Sequence, residues 1–180
     1  MPLGKLRSGR CVARGPRCAH VWPGVCGAGP WLKGGRVSRQ AQRGTRPARG
    51  QTKTGGPPYT WAATCDDPRA PTVPGAKDGH RPAACWFHPQ QVSCQVTPAN
   101  DRPYRLTVYL LDYDRARRSV EAAIADSFGE RLDVRPGIVK QMEQGSYLTW
   151  TVTGTVQVLF RYTGDNPVAN AVLSPVFIDS

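Results

Sequence analysis

Two aspartates spaced one residue apart, Asp112 and Asp114, form the acidic pair best placed for chemistry. Cleavage of a glycosidic bond needs two carboxylates held roughly 5–10 Å apart across a cleft. Asp112 and Asp114 share one strand end and point the same way, an arrangement better suited to a loop ligand or a cation than to acid/base work. Calcium takes six to eight oxygen ligands, and this pair supplies too few, so no metal is expected; a solvated turn without a ligand is the ordinary reading of such charges. The histidines His20, His80 and His88 keep no company with serine, cysteine or acid that suggests a triad. His80 is expected in a polar loop and His88 in a turn, both facing solvent. Cys11, Cys18, His20 and Cys26 lack the paired spacing of a structural zinc site. Catalysis and cofactors are therefore not expected.

Aromatic side chains offer the other chemistry, because a pyranose ring presents an apolar face on which an aromatic ring can stack. The candidates are Trp61, Trp86, Trp150, Tyr109, Tyr113 and Tyr147. The three tryptophans also suit a core, where large rings contribute most, and Trp150 shares its strand phase with Leu148 and Val152. Tyr109 falls in phase with Arg105 and Thr107 on the polar side of its strand, and Tyr113 follows in the same phase. Tyr109 and Tyr113 are thus expected to be exposed. With Asp112, Asp114 and Trp86 they make up the candidate ligand-binding set.

The elements that would position these residues are short runs with period-2 alternation, bounded by Pro, Gly, Asn and Asp. Strands are expected at 59–63, 104–111, 147–153, 155–162 and 171–178, with a shorter run around Leu132 and Val134. Pro175 marks an edge or a bulge in the last of them. Residues 66–81 read as a polar loop. Runs at 83–87 and 92–97 flank His88–Gln91 and read as a hairpin, which would set Cys85 opposite Cys94 on one face. A cross-strand disulfide fits that register, and so do two buried thiols. The stretch 117–125 is ambiguous: Glu121–Ala125 favours helix by propensity, whereas Val120, Ala122 and Ile124 alternate as a strand would. About eight strands with few helical signals indicate an all-β fold, an antiparallel, jelly-roll-like β-sandwich.

Charge divides the chain near residue 56. Residues 1–56 carry 12 Lys/Arg, no acid and 12 of the 19 glycines, whereas 57–180 carry 12 Lys/Arg against all 13 Asp/Glu. The first segment buries too little apolar surface to offset the entropy of ordering and is expected to be a disordered basic tail; the second is the β-sandwich. Nucleic-acid binding through the tail's charge is not favoured, since aromatics are sparse there and no fold signature accompanies them. No run approaches the ~20 apolar residues of a membrane span. Prolines and glycines after the basic start interrupt any secretory signal. Oligomeric state is not legible.

Several blocks are familiar as a set: Tyr59–Ala63, Ala83–Phe87, Tyr104–Asp114, Gly145–Trp150 and Asn170–Ser174. In this order, over about residues 58–179, they resemble the galactose-binding-like, malectin-like β-sandwich modules attached to exported bacterial glycosidases and surface proteins. The resemblance implies a strand at 117–125, a non-catalytic accessory role with carbohydrate as partner, and an extracytoplasmic location. A structural or cell-surface spacer of the same fold is the alternative. Such modules open with a further strand that 1–56 does not visibly contain. An edge left unpaired is therefore expected, as if 1–56 came from a shifted reading frame upstream of a truncated module.

Overall fold

A computed structural model describes residues 18–21, 51–73, 79–136 and 142–179. Among them the chain forms twelve strands: β1 (Cys18–Val21), β2 (Gln51–Gly55), β3 (Pro58–Ala62), β4 (Ala83–His88), β5 (Gln91–Thr97), β6 (Tyr104–Leu110), β7 (Val120–Asp126), β8 (Arg131–Arg135), β9 (Ser146–Val152), β10 (Val156–Tyr162), β11 (Ala171–Leu173) and β12 (Val176–Asp179). All pairings are antiparallel. They make a four-stranded sheet β1-β12-β6-β9, a five-stranded sheet β2-β5-β10-β7-β8 and a three-stranded sheet β11-β4-β3. The fold is an antiparallel β-sandwich.

Alternation dictates what meets between the layers. In β9, Ser146, Leu148, Trp150 and Val152 are buried while Tyr147, Thr149 and Thr151 are exposed, the pattern of a sheet with one face on a core. The core joins these to Leu106, Val108 and Leu110 of β6, Val92, Cys94 and Val96 of β5, Val120, Ala122 and Ile124 of β7, and Val156, Val158 and Phe160 of β10. Burying a side chain such as Phe160 contributes roughly 1.5–3 kcal/mol. The ambiguous stretch is strand β7, because Val120, Ala122 and Ile124 meet that core and packing overrides helical propensity. Trp150 fills its core position with its indole N–H satisfied by Asp133 at 2.8 Å.

Two expectations are corrected. The runs at 83–87 and 92–97 are not a hairpin: β4 belongs to the three-stranded sheet and β5 to the five-stranded one. Pro89 and Gln90 turn a sandwich corner, and His88 Nδ1 accepts the backbone amides of Gln90 and Gln91 at 3.2 and 3.1 Å. Cys85 accordingly pairs with Tyr59, and Cys94 with Val158 and Thr54. Both are free, buried thiols, which burial pushes up to about 12.

The closing run 171–178 is likewise two strands in two sheets. Pro175 has no N–H to continue a ladder, so the chain steps across there. Tyr109 of β6 holds the step, donating its amide to the Pro175 carbonyl and accepting from the Ser174 amide.

β2 covers β5 and β1 covers β12, and both lie within the first 56 residues. The remainder of the expected disordered tail lies outside the described residues.

Candidate functional site

The most distinctive surface feature is a strip of rings along β3, the edge strand of its sheet. Tyr59 is 51% exposed and meets Phe87 and Trp61 edge-on, at 6.0 and 5.8 Å between ring centres. Trp61, half-buried, lies 5.7 Å from Tyr113 with the two planes 33° apart. A bulge sets this up. Thr60 opposes Ala84 and Ala62 opposes Ala83, so Trp61 is an extra residue without a ladder partner. Bulges re-aim a side chain, and they gather at sheet edges and near sites.

Arginines clamp the strip. The Arg69 guanidinium lies 5.6 Å from the Tyr113 ring centre, and that of Arg118 lies 5.8 Å from Trp61, both within cation–π range. Arg69 is forked onto Asp67 at 3.1 and 2.7 Å and donates to the Glu143 carbonyl at 2.8 Å. Its own carbonyl accepts the Tyr109 hydroxyl at 2.6 Å. Arg118 is buried between Asp112 and Asp114, bonded to both, and donates to Asn170 Oδ1 at 2.9 Å.

The candidate residues divide on this geometry. Tyr113 lies in the strip. Asp112 and Asp114 border it but serve Arg118, and Asp112, expected at a solvated turn, is fully buried. It organises its loop by accepting the amides of Ala116 and Arg118, each at 3.1 Å. Tyr109, expected to be exposed, is 3% exposed, because the 67–70 loop covers that end of β6. Trp86 is buried opposite Pro58 and Leu173, so its ring serves the core. Sequence reasoning missed Tyr59, Arg69 and Arg118 as site residues and undervalued Trp61. The available signal was that Tyr59 and Trp61 sit two apart at a strand start.

The ion pairs set a pH response. Hydrogen bonding from Arg69 holds the Asp67 carboxyl below its usual value. For Asp114, burial acts upward but the Arg118 guanidinium outweighs it, so the net direction is down. Trp150 and then Arg135 lower Asp133. A folded-state pKa below the unfolded value means stability that is complete above the usual 3.8 and lost as pH falls through the folded values. Urea midpoints should therefore hold steady from about pH 5 down to about pH 4, then fall continuously. A midpoint that rises on acidification below pH 4 would contradict this assignment.

A second surface is a groove of about 190 Å³ on the five-stranded sheet, lined by residues including Gln91, Gln157, Leu159 and Arg131. It contains no aromatic ring, and Arg161 is paired with Glu121 at 3.2 Å among its lining residues. No group of three or more His, Cys, Asp or Glu among the described residues is arranged to hold a metal.

No protein-family model and no curated protein matches this chain. Among solved structures it is similar to a family 35 carbohydrate-binding module from Clostridium thermocellum, at 7% identity and a TM-score of 0.39, over 71% of this chain and 90% of that one. It is also similar to the CBM36-1 domain of a multidomain xylanase from the hindgut metagenome of Trinervitermes trinervoides (14% identity, TM-score 0.33, 73% of this chain and 98% of that one). A third is an exo-β-1,3-galactanase from Phanerochaete chrysosporium, at 11% identity and a TM-score of 0.37, over 73% of this chain. The match spans 29% of that enzyme.

Proposed function

We propose that this chain is a non-catalytic carbohydrate-binding module whose ligand packs on the strip formed by Tyr59, Trp61 and Tyr113. The bulge at Trp61 carries the reading. It lifts a large ring out of an edge-strand ladder, beside an exposed tyrosine and against a second tyrosine. Rings held by neighbours in this way lose little freedom when a sugar stacks on them. Polar groups stand close by to meet hydroxyls. Two carboxylates at the site argue against hydrolysis: arginines hold Asp67 and Asp114 below the usual carboxylate range, whereas a general acid needs a raised pKa.

A glycan array probed with the full chain and with Trp61→Ala tests this. Binding to a defined set of glycans is expected, weakened at least about tenfold by the substitution, as for a lost contact of about 1.4 kcal/mol. A wild-type chain that binds no glycan would favour the spacer of the same fold.

A further inference from the structure

The loop beyond Tyr113 holds two arginines in an unusual backbone state. Arg115 and Arg117 have φ of 54° and 57°, and they are the only non-glycine residues with positive φ among the described residues. The left-handed region costs a residue with a Cβ roughly 1–2 kcal/mol. Such strain persists only where the surroundings over-determine it, and it gathers at functional sites. Here the surroundings are explicit: Asp112 accepts the Ala116 and Arg118 amides, its carbonyl accepts the Arg115 amide, and Asn166 donates to the Ala116 carbonyl. The loop is pinned on both sides of each strained residue.

Asp67, Asp112 and Asp114 carry three negative charges against the two positive ones of Arg69 and Arg118, and Arg115 with Arg117 turns the sum of these groups from −1 to +1. Asp67 is bound by Arg69, and Asp112 and Asp114 are bound by Arg118. Arg115 and Arg117 are exposed, and neither side chain is hydrogen-bonded or ion-paired among the described residues. Tyr113 and Arg118, on either side of Arg115 and Arg117 in sequence, both meet the Trp61 ring, at 5.7 and 5.8 Å, so the loop that carries the two arginines borders the strip. Two unpartnered guanidinium forks on a pinned loop beside stacking rings match a sugar that carries an anionic group, which arginine grips in bidentate fashion.

Taking the carbohydrate reading above as given, we infer that the ligand is an acidic glycan, its carboxylate or sulfate held by Arg115 and Arg117 while its ring packs on Trp61. The double substitution Arg115→Gly/Arg117→Gly separates this from a structural role of the loop, because glycine accepts positive φ without strain. Full-length wild type and variant are to be titrated with three oligosaccharide types: neutral, uronate-bearing and sulfated. Preference for one acidic type over the neutral one, lost at least about tenfold in a variant whose melting temperature is unchanged or higher, is the expected result. The preferred arm tells carboxylate from sulfate. Equal binding of neutral and acidic oligosaccharides, or a variant that keeps the preference, overturns the inference and leaves the carbohydrate reading standing. Binding to single-stranded nucleic acid in place of all three glycans overturns both, since stacking rings with arginines can also hold bases.

Discussion

Replacing Asp112 by alanine is expected to destabilise the protein by about 3–5 kcal/mol, the cost of breaking a buried ion pair from one side. Asp112 is fully buried and Arg118 is 5% exposed. Alanine would leave the guanidinium with only the Asp114 carboxylate, itself 43% exposed, and the Asn170 amide oxygen. The amides of Ala116 and Arg118 would lose their acceptor as well. With them goes the carboxylate half of the pinning that keeps Arg115 and Arg117 left-handed, while the Asp112 carbonyl and Asn166 keep the other half. Asp114→Ala is the control. Its partly exposed carboxylate is screened by solvent, and the cost should stay under about 1 kcal/mol. Urea denaturation of the two variants measures the difference, and comparable midpoints would show that Asp112 does not anchor the loop.

Gly145→Ala should cost roughly 2–5 kcal/mol, of which about 1–2 comes from the left-handed backbone and the rest from a buried phenol losing its partner. Gly145 has φ of +80°, and a Cβ there would lie 1.7 Å from the Tyr109 hydroxyl and 2.6 Å from Cζ. Tyr109 has nowhere cheap to go. Its ring is buried, it packs at 4.6 Å on Tyr147, and its hydroxyl is bonded to the Arg69 carbonyl. Displacing it would release the loop that carries Arg69 over Tyr113, so a position outside the strip should also weaken glycan binding. A double-mutant cycle with Tyr109→Phe checks the route. Removing the hydroxyl takes away the closest clash, so the two costs should sum to more than the double variant shows. Strict additivity would refute the coupling.

The strand pattern was legible where one face meets the core and the other meets water. β9 and β10 have that character, and their alternation reads directly. Alternation is silent on which sheet a strand joins. A four-residue connection can close a hairpin or turn a sandwich corner, and the flanking residues look alike, so β4 and β5 were misread as partners. Tyr109 was misread for a related reason: its strand phase is polar, but a loop 40 residues away covers it. The site was less legible than the fold. The bulge at Trp61 exists only in register with Ala83 and Ala84. The pairing of Arg118 with Asp112 depends on a loop whose path no local spacing encodes. Of the candidate residues, Tyr113 lies on Trp61, and Asp112 and Asp114 lie on the arginine that borders it.

The edge strand β2 gives one lysine of the basic third a colloidal role. β2 carries Lys53, with Arg49 just before it in sequence, and Arg17 immediately precedes β1. An exposed sheet edge is a template for a second copy of the same chain, and positive side chains along it oppose that approach. Among the described residues the cation on these strands is Lys53, exposed on β2. High salt, by shortening the reach of that repulsion, is the condition under which copies of this protein would begin to join edge to edge.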